Sequence, residues 1–228
     1  MPLSVIQSTG FGTFYSRINR RKGLPDPVAD ILKPYLRDNY TTQDKNRGAT
    51  NDPVAIDRSV CMDELIQKEI EGGKIKTIFN AGCGFCTRYW RLGIDKLDIE
   101  WVECDYTNVL RCKLDAYRGC NIKIPKNYIF MSSDLQKSCI PVGFDLCIAE
   151  GLFVWLEKSF VINNIHQKTI FDVIGIKRTT VIGKEQKWLF DENEDVWSNV
   201  NFDLIQRVGP ESREHRVIIA TPSDFLVY

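Results

Sequence analysis

With 228 residues, 43% of them hydrophobic, and 30 basic residues against 30 acidic ones, the chain has the make-up of a folded protein with one sizeable core. A formal net charge of zero provides no global field toward nucleic acid or an anionic membrane, and no apolar run reaches the ~18–20 residues of a membrane span. No signal peptide is read in the first ten residues, so a cytoplasmic location is expected, where the eight cysteines stay mostly free and pack as small hydrophobes.

Residues 1–24 turn basic at Arg17, Arg20, Arg21 and Lys22, show no strong periodicity, and read as an arm or cover. Asp26-Pro27 then has the form of an N-cap followed by proline at the first helical position. Val28, Ile31, Leu32, Tyr35 and Leu36 recur at helical spacing behind it. Polar residues from Asp38 to Thr50 predict a mobile loop. Asp52-Pro53 repeats the start signal for a second helix, which carries Met62, Leu65, Ile66 and Ile70 on one stripe and stops at Gly72-Gly73. Arg58 joins that inward stripe, where a charge needs a partner, either a structural acid or a bound carboxylate or phosphate. The chain therefore divides into an N-terminal arm with two helices (1–73) and a core (74–228).

The core opens with Ile75, Ile78 and Phe79, an apolar run that ends in Asn80-Ala81-Gly82-Cys83-Gly84 and continues into a helix-compatible segment. Glycine is suited to such a turn because a Cβ would block the bend or the approach of a ligand. The third glycine of a dinucleotide fingerprint is missing, since Thr87 stands in its place. Ile99–Asp105, Tyr128–Met131 and Phe144–Glu150 predict three more strands, with a helix over 106–117. Residues 157–172 predict a helix, Thr179–Ile182 a fifth strand, and 202–205 with 216–220 a closing hairpin that turns at Gly209-Pro210. Strands alternating with helices argue a doubly wound α/β domain with a largely parallel sheet.

Asp105, Asp134 and Glu150 each fall at a strand end, where ligands bind in open α/β sheets. An acid after the second strand is placed to accept the two ribose hydroxyls of an adenine nucleoside, a role for which Asp105 and Glu103 compete and Asp105 lies nearer the end. Asp134-Leu135 suits an adenine ring, with a polar group at its amine and an apolar one on its face.

Arg58, the block Asn80-Ala81-Gly82-Cys83-Gly84-Phe85-Cys86-Thr87-Arg88, Glu103-Cys104-Asp105, Ser133-Asp134-Leu135 and Ala149-Glu150-Gly151-Leu152 occur in that order. The pattern resembles the leucine carboxyl methyltransferase-like family of S-adenosylmethionine-dependent O-methyltransferases, which includes tetracenomycin-type polyketide enzymes. The resemblance implies a Rossmann-like fold with a mostly parallel seven-stranded sheet and an antiparallel last strand. It implies that Arg58 holds the cofactor's methionine carboxylate with Gly82 and Gly84 against it. Asp105 would take the ribose, Asp134 and Leu135 the adenine, and Glu150 the amino end, while Trp155 replaces a tyrosine that relatives carry near the substrate. The expected reaction is O-methylation of a carboxylate or hydroxyl on a small molecule, free or carrier-tethered, as in specialised metabolism.

Two departures stand out. Phe85-Cys86 replaces a pair that normally includes an acid, and only residues 183–201 are left for a lid, so a reduced or absent lid is expected. A wider site suits a tethered substrate, or a homodimer or other partner that completes the pocket. No metal is expected, and neither His166 nor His215 falls at a predicted strand end facing the cofactor. Glu150 and Trp155 are the candidates for a part in catalysis. The competing readings are a redox protein built on Cys83-x-x-Cys86, a nicotinamide dehydrogenase, and a binder or interaction protein of this fold that transfers no methyl group.

Overall fold

Pro27 and Pro53 each stand at the first position of a helix. The computed structural model describes residues 5–19, 26–40, 53–174, 200–208 and 215–222. Helix α1 spans Val5–Asn19, α2 Pro27–Tyr40 and α3 Pro53–Glu71. Asp26 Oδ1 accepts the Ala29 amide at 3.0 Å, which caps the first turn of α2. Gly72-Gly73 ends α3, with Gly73 at φ +75°. α2 runs on to Tyr40, so the predicted loop begins later than expected, and residues 41–50 lie outside the described residues.

The N-terminus holds three helices where two were expected. Gly10, Gly12 and several serines and threonines give α1 poor intrinsic helicity, which masked its period. Phe11, Phe14, Tyr15 and Ile18 are nonetheless spaced at i, i+3, i+4 and i+7, and all four are buried. Tertiary packing makes this helix, and Phe11 stacks on Phe85 with ring centroids 4.2 Å apart.

Seven strands form one sheet in the order β3-β2-β1-β4-β5-β7-β6. They are β1 (Thr77–Ala81), β2 (Glu100–Asp105), β3 (Tyr128–Ser132), β4 (Leu146–Ala149), β5 (Thr169–Ile174), β6 (Val200–Val208) and β7 (His215–Pro222). The first five run parallel, and β7 is antiparallel to both β5 and β6. Strand order reverses between β1 and β4, which opens a crevice at their carboxyl ends. Short helix α4 (Arg88–Arg91) follows the glycine turn, α5 (Thr107–Gly119) follows β2, and α6 (Lys158–Ile162) precedes β5.

The helix predicted for 157–172 is corrected, because only Lys158–Ile162 is helical and 169–174 is the fifth strand. Thr169 to Val173 are all buried, and a strand buried on both faces has no apolar period to separate it from a helix. Residues 179–182, residues 183–199 of the expected 183–201 lid region and the Gly209-Pro210 turn lie outside the described residues, and 200–201 open β6.

Alternation along the strands splits the core in two. Ile78, Trp101 and Ile148 pack with the N-terminal helices on one face, and Phe79, Val102, Cys147 and Phe171 pack with Phe153 on the other. The N-terminal helices share the sheet's own apolar core. Among the described residues, no helix is long and apolar enough to cross a membrane.

Candidate functional site

The turn after β1 depends on glycine at two positions. Gly82 has φ +62° and Gly84 φ +50°, and a Cβ on Gly82 would lie 2.9 Å from Leu152 Cδ1. Backbone and side-chain bonds hold the turn from several sides. The Cys83 amide donates to the Cys104 carbonyl at 3.1 Å, and the Gly84 amide to Asp105 Oδ2 at 2.7 Å. Lys113 Nζ donates to the Cys86 carbonyl at 2.7 Å. From above, α1 lies so close that a Cβ on Gly10 would be 3.5 Å from Gly84 Cα.

Between α1, the turn and the segment after β4 lies a cavity of about 110 Å³. Of the residues predicted from sequence, Gly82, Gly84, Asp105, Glu150 and Trp155 line it. So do Gly10, Thr13 and Arg17 of α1, together with Tyr106 and Arg88, which sequence reasoning did not assign to the site. The Gly10, Thr13, Arg17 spacing was a readable helical face, hidden with the helix itself. Arg88 stands in the glycine-turn motif, but nothing in the sequence gave its side chain a role.

The structure separates the two acids of β2. Glu103 is fully buried and ion-paired with Lys113, which is nearly as enclosed, and it also accepts from Trp101 Nε1 at 3.3 Å. Asp105 is the one that reaches the cavity, and it accepts the Gly84 and Tyr106 amides, each at 2.7 Å. Burial pushes its carboxyl up to about 6, against the pull of those amides and of Lys113. Asp134 accepts the Gln136 amide at 3.1 Å and pairs with Lys137 at the surface. Although burial opposes it, the Gln136 amide, Lys137 and the cavity residue Tyr106 hold the Asp134 carboxyl below its ordinary value. Leu135 is buried in the core on the second face of the sheet.

Behind the cavity runs a chain of buried charges. Arg58 donates through Nε and Nη2 to Glu150 Oε1, both at 3.2 Å, and through Nη1 to Asp172 Oδ2 at 3.1 Å. Arg88, fully buried, bonds Glu150 Oε2 at 2.7 Å and Asp63. Arg91 joins Asp63 at 2.6 Å to Asp26 at 2.9 Å. Asp26 thus caps α2 and anchors α4 at once, and Thr87 Oγ1 also donates to it at 2.5 Å. Burial opposes ionisation of Glu150, but Arg88, Arg58 and Arg17 outweigh it and hold the carboxyl well below the usual range. Glu150 is therefore a fixed negative charge, poorly suited to taking a proton.

Cys83 and Cys86 both line the cavity and are free thiols. Burial, helped by Glu103, pushes the Cys83 thiol well up, which reverses the low value on which a redox reading depended. Cys86 Sγ instead accepts the Arg88 amide at 3.4 Å, at the position where an acid was expected. A pyrophosphate is disfavoured as well. The Gly84 amide that would meet it is spent on Asp105, whose carboxylate faces the same space. An adenine nucleoside bearing a zwitterionic amino acid fits the donor set better, with one acid at the end of β2 and an arginine–glutamate pair at the end of β4.

The fold is shared with solved methyltransferases. Magnesium protoporphyrin IX methyltransferase (ChlM) of Synechocystis, solved with bound SAH, superposes with a TM-score of 0.56 at 12% identity, covering 84% of this chain and 100% of that one. The small RNA methyltransferase HEN1 gives 0.54 at 11% identity, over 73% of this chain and 25% of that one. The methyltransferase domain of a bacterial Hen1 gives 0.51 at 13% identity, over 72% and 98%. No curated protein matches the chain by sequence. The model of the leucine carboxyl methyltransferase family matches residues 17–162, which takes in α2 and α3, the glycine turn, Asp105, Asp134, and the segment from Glu150 to Trp155. By that match the chain belongs to the leucine carboxyl methyltransferase family, whose cofactor is S-adenosylmethionine.

Proposed function

We propose that this protein is an O-methyltransferase that uses S-adenosylmethionine to esterify a carboxylate on a small molecule, free or carrier-tethered. The observation that carries the choice of acceptor is the state of the acids at the cavity. Glu150 is locked between Arg58 and Arg88, and Asp105 is engaged by two backbone amides. No histidine is among the described residues that line the cavity, and His166 is exposed elsewhere. A hydroxyl acceptor normally needs a base, whereas a carboxylate is already nucleophilic at neutral pH.

The cofactor supplies a methyl group on a positively charged sulfur. In this reading Asp105 accepts the ribose hydroxyls, and Asp134 with Leu135 meets the adenine. Gly82 and Gly84 let the backbone approach, and the Arg58–Glu150 pair receives the amino-acid end. Trp155 and the α1 face built from Gly10, Thr13 and Arg17 enclose the reacting centre and exclude water, so alignment and desolvation supply most of the rate effect.

The test is a transfer assay with radiolabelled cofactor against a panel of carboxylic acids, phenols and alcohols, followed by mild alkali. A methyl ester releases its label as volatile methanol, whereas an ether keeps it. Alkali-stable label on the product would move the acceptor to a hydroxyl. Binding of S-adenosylhomocysteine without transfer to any acceptor, alongside capture of one stoichiometric partner, would favour a non-catalytic binder of this fold.

A further inference from the structure

We infer that Asp172 and Ser59 are positioning residues that brace the amino-acid end of the cofactor pocket, an inference that rests on the cofactor reading above. Asp172 sits on β5 with its side chain fully buried, and nothing in the sequence marked it as part of a site. An enclosed carboxylate must have its oxygens satisfied by the protein. Here Oδ1 accepts the Gly151 amide and Oδ2 accepts Arg58 Nη1 at 3.1 Å. One side chain on a neighbouring strand thus fixes both the start of the wall segment after β4 and one end of the Arg58 guanidinium.

With Nη1 held by Asp172, the Nε and Nη2 edge of Arg58 meets Glu150 Oε1. Ser59, the next residue on α3, donates its hydroxyl to the same oxygen at 2.5 Å. Arg88 holds the other oxygen, Oε2. Both Arg58 and Glu150 are thereby held from two directions. Gly151, which has φ +66° and lines the cavity, lies directly against the pair, since a Cβ there would be in ordinary contact with Arg58 Nη2 at 3.6 Å.

A fixed cation beside a fixed anion is complementary to an α-carboxylate beside an α-ammonium group. That complementarity requires the pair to hold its orientation while the ligand's own charges arrive, because reorganisation would consume the binding energy. Asp172 and Ser59 are not among the residues that line the cavity, and each is bonded to a member of the pair, so they act through Arg58 and Glu150.

Calorimetry with two ligands tests this. S-adenosylhomocysteine carries both the nucleoside and the amino-acid end, while 5′-methylthioadenosine carries the nucleoside alone. D172N keeps an acceptor for the Gly151 amide but loses the charge that holds Arg58, and it should weaken S-adenosylhomocysteine about tenfold or more. S59A should weaken it about threefold, and both variants should bind 5′-methylthioadenosine within about twofold of wild type. A general structural defect would lower both affinities together, and that result, or no change in either, overturns the inference. Should D172N melt below the assay temperature, the milder S59A shows the same split between the two ligands and decides the matter alone. Wild-type protein that binds neither ligand would sink the cofactor reading and this inference with it, and that measurement comes first.

Discussion

The Gly84 amide donates to Asp105 Oδ2 at 2.7 Å, so the glycine turn after β1 and the acid at the end of β2 form one bonded unit. Its electrostatics set a pH dependence. The Asp105 carboxyl stands at about 6 against an ordinary 3.8, with burial as the main cause. A folded-state value above the unfolded one means that this group's contribution to stability is fully present below pH about 4 and is lost as pH rises through about 6. In the ribose-binding role proposed for Asp105, binding runs the other way, since only the carboxylate can accept two hydroxyls. Affinity for S-adenosylhomocysteine should therefore be flat above pH about 7 and fall as pH drops through about 6. Asp105→Asn should bind weakly at every pH and show no such slope in calorimetry. A wild-type slope that persists in D105N would place the titrating group elsewhere.

The turn's geometry makes a second prediction. Gly82→Ala meets a backbone cost, because φ is +62°, and a steric one, because the new methyl would fall 2.9 Å from Leu152 Cδ1. The left-handed conformation alone costs about 1–2 kcal/mol for an alanine. Urea denaturation should show G82A destabilised by at least that much, with cofactor binding lost. Leu152→Ala in the same background should recover the steric share and leave the backbone share. Full recovery by L152A would mean that the turn can relax its φ.

Thiol chemistry separates the redox reading from the methyltransferase one. Cys139 is exposed, whereas Cys83 is buried with its thiol pushed well up. A thiol reagent added to native protein should label Cys139 early and Cys83 only on unfolding, as peptide mass spectrometry would show. Cys86→Ser should keep full transfer activity, because its Sγ serves as an acceptor for the Arg88 amide and a hydroxyl can do the same. Reversible inactivation by a mild disulfide reagent that vanishes in C86S would restore the dithiol as a functional pair.

Residues that act through local chemistry were legible before the structure. Asp26-Pro27, Gly72-Gly73 and Gly82-x-Gly84 each favour a particular backbone, and each stands where that backbone is found. The acids at the ends of β2 and β4 could be read because parallel strands put successive C-termini on one edge. What could not be read depends on tertiary partners. α1 is a helix because Phe11, Phe14, Tyr15 and Ile18 find a core, against the preference of its glycines. β5 looks helical in sequence because both of its faces are buried. The residues around Arg58 admit a structural acid or a ligand, and only the family resemblance points to the cofactor carboxylate; the structure supplies Asp172 of β5 and Glu150 just past β4, more than 90 residues away. Such pairings follow from sheet order, which no local pattern encodes.

The same limit applied to Glu103 and Asp105, which alternation places on one face of β2 and which only Lys113 tells apart. Lys113 Nζ is bonded to Glu103 and to the Cys86 carbonyl, and both charged side chains are almost wholly enclosed. Burial pulls the ammonium's affinity for its proton down, and Glu103 more than restores it. Breaking such a pair from one side leaves a buried charge uncompensated and costs about 3–5 kcal/mol, whereas replacing both members with groups of similar volume costs far less. Lys113→Met should accordingly cost about 3–5 kcal/mol in urea denaturation, and K113M with Glu103→Gln much less than the sum of the two single changes. Trp101 offers a second readout, since its Nε1 donates to Glu103 Oε1 at 3.3 Å, and its emission should shift when that carboxylate is neutralised. A K113M cost below about 1 kcal/mol would mean that the buried pair contributes little to stability. In that case Lys113 would matter chiefly through the Cys86 carbonyl it holds, and K113M should lower cofactor affinity while leaving stability nearly intact.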